Sequence, residues 1–170
     1  YAKWTAKTYT VTLNPQSGTG GTTSVTATYG SAMPAITKPT RTGYTFNGYY
    51  DATSGGTQYY KADGSSARPW NKAAATTLYA QWTLVNYTIT YNTNGGSGTM
   101  APTSYTIETT TFDLPTPTKT GYTFAGWYTT PDFSGTAITT LSADTKGTLY
   151  AKWIEYTPTV AAVKAMGVGV

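Results

Sequence analysis

The sequence predicts a mainly β chain made of two tandem repeats with little helix, arranged as an elongated array. Three observations carry that prediction. The composition suits strands: Thr is the commonest residue, Tyr occurs 16 times and Gly 18 times. Thr, Tyr and Trp favour a pleated, half-buried surface, while Gly and Pro supply turns. Short stretches alternate apolar and polar residues with a period of two. Whole blocks also recur in order at a fixed distance, which is the signature of a repeat architecture. Gly43–Tyr50 reads GYTFNGYY, and Gly121–Tyr128 reads GYTFAGWY 78 positions later. Tyr9–Asn14 (YTVTLN) and Tyr87–Asn92 (YTITYN) are again 78 apart. Leu78–Trp82 (LYAQW) and Leu149–Trp153 (LYAKW) are 71 apart, so the second copy is seven residues shorter between its GYTF and LYA blocks.

Tyr1–Trp4 (YAKW) matches the closing block. Residues 1–8 are therefore expected to be the end strand of a preceding repeat and its linker, and the natural protein is expected to extend upstream. Repeat 1 is expected over 9–82, a linker over 83–86, repeat 2 over 87–153, and a tail or the start of a next domain over 154–170. In the first strand of each repeat, Tyr9, Val11 and Leu13 alternate with Thr10 and Thr12, and Tyr87, Ile89 and Tyr91 with Thr88 and Thr90. Gly-rich turns follow at Gln16–Gly21 and Asn92–Gly98. A second strand, carrying Val25, Ala27 and Tyr29 or Tyr105 and Ile107, completes a hairpin. Pro34 and Pro39, and Pro115 and Pro117, exclude a long helix, so an extended crossover with one helical turn at most is expected. Tyr44–Asp51 and Tyr122–Thr129 read as strands interrupted by Gly48 and Gly126, which marks a bulge or a close approach. Phe46 and Phe124 are expected to point into the core. Ala62–Gly64 reads as a turn and Asn71–Ala75 as a short helix. The final strand places Leu78, Ala80 and Trp82 on one face and Tyr79 and Gln81 on the other. The apolar Val160–Val170 is too short to span a bilayer. It reads as the start of a next domain or a chain end, or else as a β-prone segment that pairs with a sheet edge.

The ordered pattern YTVTLN, then Pro-x-x-x-Gly-Tyr-Thr-Phe-x-Gly-Trp-Tyr, then LYAKW resembles the Listeria–Bacteroides repeat, also known as the internalin B-repeat. The resemblance covers about Tyr9–Trp82 and Tyr87–Trp153. The first copy has Tyr49 where the family usually has Trp, and the second has Trp127, which favours a packing role for that position. The resemblance implies a small β-grasp-like domain used in arrays on bacterial cell-surface and secreted proteins. It implies no catalytic residues and no single ligand.

The chain has no Cys and no His. That removes most structural zinc sites, thiol nucleophiles, Ser-His-Asp triads and haem ligation, and no cofactor is expected. Each repeat must then be held by core burial. Charged residues make up 11% of the chain, below the ~25% of an average domain, and the net charge is +4. The charges are scattered singly, without the basic stripe that nucleic acid requires. No stretch approaches the ~20 apolar residues of a membrane span, and no signal peptide is visible.

Solvent-facing Tyr and Trp can stack on sugar rings or anchor a partner protein. Tyr49, Tyr50, Tyr59, Tyr60, Trp70, Trp127 and Tyr128 are of the right type. The competing reading is that rings fill a core poor in Leu, Ile and Val. The Tyr59–Tyr60 pair is the strongest exception, since one of two consecutive strand residues must face outward. The candidate ligand contacts are therefore Tyr59, Tyr60, Trp70, Trp127 and Tyr128. A glycosidase needs two carboxylates ~5–9.5 Å apart. Asp51 and Asp63 in copy one, and Glu108, Asp113, Asp132 and Asp144 in copy two, do not recur at the repeat offset. Asn92-x-Asn94-Gly95-Gly96 has the outline of a cation loop but lacks carboxylates and reads as a turn. Lys38 and Lys119 lie in Thr-rich, Pro-rich crossovers and read as solvated, not as partners in an isopeptide bond.

Two functions from different classes remain. In the first, each repeat is a rigid bead in a non-catalytic stalk of a secreted or cell-surface adhesin-like protein. Its partners are the neighbouring repeats, and it sits outside the cell on a wall or outer envelope. In the second, the repeats are an adhesion module that contacts a host glycan or protein through exposed Tyr and Trp.

Overall fold

The structure, a computed structural model, describes residues 1–109, 113–139, 141, 145–158 and 167. Asp144 and, apart from Gly167, the apolar tail over 160–170 lie outside the described residues. The chain forms two compact units, Tyr1–Val85 and Asn86–Val170, each with its own sheet.

In the first unit the alternating Tyr9, Val11 and Leu13 lie on β1 (Thr8–Asn14), which pairs antiparallel with β2 (Ser24–Thr28). The turn between them is closed locally. The Asn14 side-chain oxygen accepts the Gln16 N–H at 2.9 Å, and Gln16 and Ser17 adopt positive φ (49° and 66°). The proline-bearing crossover that follows is extended and forms no helix. It is stitched to the first turn by the N–H of Thr22 on the Thr37 carbonyl and by a reciprocal pair between Thr19 and Thr40. β3 (Tyr44–Tyr50), β4 (Gln58–Tyr60) and β5 (Thr76–Leu84) complete the sheet in the order β2-β1-β5-β3-β4. β5 runs parallel to β1, with Leu13 opposite Leu78, and antiparallel to β3, with Tyr49 opposite Ala80. A parallel central pair needs a long crossover. Here strands and a proline-rich segment supply it, giving a β-grasp-like order without the helix.

The register of β3 shifts between Phe46 and Gly48. The bulge puts Phe46 and Tyr49, three residues apart, on the same inner face with ring centroids 5.3 Å apart. Gly48 sits at φ 130°, and a Cβ there would collide with the Tyr60 carbonyl, so only glycine lets β4 close against β3. The core contains Val11, Leu13, Phe46, Tyr49, Tyr60, Leu78 and Ala80, with Trp82 packed against it.

The second unit repeats the plan. β6 (Tyr87–Asn92), β7 (Ser104–Tyr105), β8 (Tyr122–Tyr128) and β9 (Gly147–Glu155) take the order β7-β6-β9-β8. β6 and β9 are parallel, and β8 carries the same bulge between Phe124 and Gly126. Where the first unit has β4, the second has, among the described residues, an isolated bridge, with the Ile138 N–H on the Trp127 carbonyl at 2.7 Å. Its core is Ile89, Tyr105, Trp127, Leu149 and Ala151, with Phe124 and Trp153 partly buried against it.

Tyr1–Trp4, read as the end strand of a preceding repeat, forms no strand within this chain. In both units the LYA block is strand only because it lies between the first and third strands of its own repeat, and Tyr1–Trp4 has no such pair among the described residues. Asn71–Ala75 is not helical. The residues just before it are drawn into isolated bridges with 29–32: the Trp70 N–H donates to the Ser31 carbonyl, and its own carbonyl accepts the Gly30 N–H. Lys72 is held by Asp51 at 2.9 Å. At the other boundary, β5 runs on through Leu84, and the Val85 N–H donates to the Gly43 carbonyl at 2.9 Å. The equivalent bond in the second unit joins Tyr156 to Gly121 at 2.8 Å.

Candidate functional site

The five aromatic residues singled out in the sequence are mostly interior. Tyr59, Tyr60, Trp70 and Trp127 are each 1% exposed or less. The Tyr60 hydroxyl donates to the Pro34 carbonyl at 2.9 Å. The Tyr59 hydroxyl donates to Asn71 Oδ1 at 2.6 Å, and its ring lies 5.1 Å from that of Trp70. The Trp127 indole donates to the Pro115 carbonyl at 2.7 Å. The expectation that one of Tyr59 and Tyr60 faces outward is therefore corrected. Alternation separates the two rings, but both are covered: Tyr60 packs edge-on against Tyr49, while Trp70 and Asn71 close over Tyr59, and Tyr49, Tyr59, Tyr60 and Trp70 all belong to one buried cluster. Tyr128 is half-buried beside Phe133 (5.7 Å) and Lys152 (5.1 Å). Burial pushes the hydroxyls of Tyr49 and Tyr60 up to about 12, so both stay neutral.

The carboxylates serve turns. Asp51 accepts the Thr57 N–H at 2.7 Å as well as binding Lys72, and these two contacts hold its carboxyl below the ordinary value. Asp63 accepts both the hydroxyl and the N–H of Ser65, and Asp132 accepts the N–H of Ser134. Among the described residues, no three or more of His, Cys, Asp and Glu are grouped to hold a metal ion. The Asn92–Gly96 segment is a turn: Asn92 Oδ1 accepts the Asn94 N–H, and Asn94 donates to the Ala151 carbonyl at 2.8 Å. Lys119 Nζ lies 3.1 Å from the Asn94 carbonyl, a cation of the protein's own in that place.

One surface feature is shared by the two units, and the sequence reading missed it. The blocks Pro39-Thr-Arg-Thr-Gly-Tyr44 and Pro117-Thr-Lys-Thr-Gly-Tyr122 each carry a cation three residues before a tyrosine. The Arg41 guanidinium carbon stands 3.6 Å over the Tyr44 ring, and Lys119 Nζ stands 4.4 Å over Tyr122. Beside each pair runs a groove bounded by a buried proline and a tryptophan. It holds about 370 Å³ around Pro39 and Trp82, and about 610 Å³ around Pro117 and Trp153. The tryptophans are positioned identically. The Trp82 indole N–H donates to the Pro15 carbonyl at 3.0 Å, and the Trp153 indole N–H donates to the Thr93 carbonyl at 2.9 Å. The pairing of Arg41 with Lys119 at the repeat offset was the signal available in the sequence.

Fold and surface together define a class: a mainly β tandem-repeat module, each copy closed by its own aromatic core. The model of the Listeria-Bacteroides repeat domain matches residues 9–81 and 87–152. The chain belongs to that family. It is 39% identical over 109 residues to Internalin H of Listeria monocytogenes serovar 1/2a (strain EGD-e), covering 64% of this chain and 18% of that protein. It is 33% identical over 162 residues to a protein of Evansella cellulosilytica named "Putative membrane protein", covering 90% of this chain and 23% of that one. A second protein of that organism, with "Gly-rich membrane protein" in its name, is also 33% identical over 162 residues, covering 90% of this chain and 17% of its own length. The chain thus spans between 17% and 23% of these relatives. No solved structure matches it.

Proposed function

We propose that this chain is a non-catalytic spacer segment of a bacterial surface or secreted protein, whose repeats hold another part of that protein away from the cell. The observation that carries this reading is the joint. β5 ends at Leu84 and β6 begins at Tyr87, so only Val85 and Asn86 separate them, and Val85 is itself bonded to Gly43. A joint that short gives two separately closed repeats little slack, which is what a spacer of fixed length needs. The family supports a surface repeat module, as do relatives whose names place them among internalins and membrane proteins. The described residues include no helix long and apolar enough to cross a membrane. The partners in this reading are neighbouring repeats of the same chain. The alternative of an adhesion module acting through Tyr59, Tyr60, Trp70, Trp127 and Tyr128 draws no support from the first four, whose rings are buried, and leaves only the half-buried Tyr128. Small-angle X-ray scattering of the whole chain tests the proposal. An elongated particle with a maximum dimension near that of two beads end to end is expected. A compact globule would count against it.

A further inference from the structure

We propose that the surface across Arg41, Tyr44 and Trp82 binds an acidic polysaccharide, a chain of sugars bearing carboxylate or sulfate groups. Two hollows of about 370 and 330 Å³ adjoin there and share these three residues. Together they form a track past one fixed cation, which suits a chain better than a compact molecule.

The Arg41 guanidinium carbon stands 3.6 Å over the centre of the Tyr44 ring. Its guanidinium makes no hydrogen bond or ion pair among the described residues. Contact with the ring thus restrains a planar fork of N–H donors that faces solvent, the arrangement that takes a carboxylate or sulfate with two parallel bonds. Lys38, exposed on the rim, adds a second positive charge, and no Asp or Glu lines either hollow among the described residues. Tyr44 and Trp82 are both partly exposed and line both hollows, which brings aromatic surface to the C–H side of a sugar. Thr40 and Thr45 lie alongside with hydroxyls for sugar oxygens. A neutral glycan would leave Arg41 unused, and an acidic peptide would leave the rings and hydroxyls unused.

The second copy keeps this surface where others drift. Residues 57–70 have no close match in repeat 2, yet the cation–tyrosine pair and tryptophan recur as Lys119, Tyr122 and Trp153. Core packing does not require a cation at that position. The second groove is expected to be the weaker. Lys119 already donates to Asn94, and Glu155 stands opposite Tyr122 in the strand register, where repeat 1 has Leu84.

The test is calorimetric titration of the whole chain with a heparin oligosaccharide, which is both sulfated and uronate-bearing. Neutral dextran and poly-glutamate serve as comparators. The expected result is measurable heparin binding, none to dextran, and binding to poly-glutamate weaker by about tenfold or more. Arg41→Gln and Tyr44→Leu, each checked for an unchanged melting transition, should weaken heparin binding about tenfold, while Lys119→Gln should change it less than about threefold. Three results would overturn the proposal: no heparin binding, equal affinity for poly-glutamate, or full affinity in a folded Arg41→Gln variant.

Discussion

Tyr49 and Trp127 hold the same place in the two repeats and meet its polar demand differently. The Trp127 indole reaches the Pro115 carbonyl. In the first unit the matching carbonyl, that of Thr37, already accepts the Thr22 N–H at 2.9 Å, and the Tyr49 hydroxyl is buried without a partner among the described residues. An unpartnered buried hydroxyl costs on the order of 1–3 kcal/mol. Tyr49→Phe is therefore expected to raise the denaturation midpoint, by about 1 kcal/mol in stability. A clear loss would mean that the hydroxyl is satisfied. The raised values of Tyr49 and Tyr60 also set a pH dependence. The unfolded chain releases these protons near 10, and the folded chain near 12. Stability is fully present below pH 10 and falls as the pH rises to 12, by at most about 1.4 kcal/mol per unit for each tyrosine. Denaturant titrations at stepped pH should show the fall, and Tyr49→Phe should make it shallower. Gly18 and Gly96 each lie under a tryptophan, Trp82 or Trp153, that a Cβ would strike. Alanine at either should cost about 1–3 kcal/mol through overpacking, read as a lowered melting transition of that repeat.

At the scale of the element, β4 separates what is local from what is not. The alternating strands, the bulges at Gly48 and Gly126 and the proline crossovers were legible because each is dictated within a few residues. The fate of Tyr59 was not, because it is covered by Trp70, eleven positions on in a segment with no close match in the second repeat. Asn71–Ala75 failed for a related reason. Its alanines favour helix, but Trp70 and Lys72 are tied to Ser31 and Asp51, and those tertiary bonds outweigh a propensity of tenths of a kcal/mol per residue. The Arg41–Tyr44 pair is local and readable from the repeat. The hollows around it also need Gln16 and Trp82, which only the folded sheet brings near. Trp70→Ala should cost the first repeat about 3–5 kcal/mol and leave the second unchanged. Calorimetry is expected to split the unfolding into two transitions, with only one displaced.

At the scale of the whole molecule, two separately closed repeats are joined by Val85 and Asn86. The chain contains no Cys, so two spin labels can be placed without background, at Ser54→Cys and Thr136→Cys on exposed positions of the two units. Pulsed dipolar spectroscopy then reads the distance between the repeats directly. The account predicts one narrow distance distribution, which broadens when a flexible Gly-Ser stretch is inserted between Val85 and Asn86. A broad distribution in the native joint, unchanged by that insertion, would contradict it.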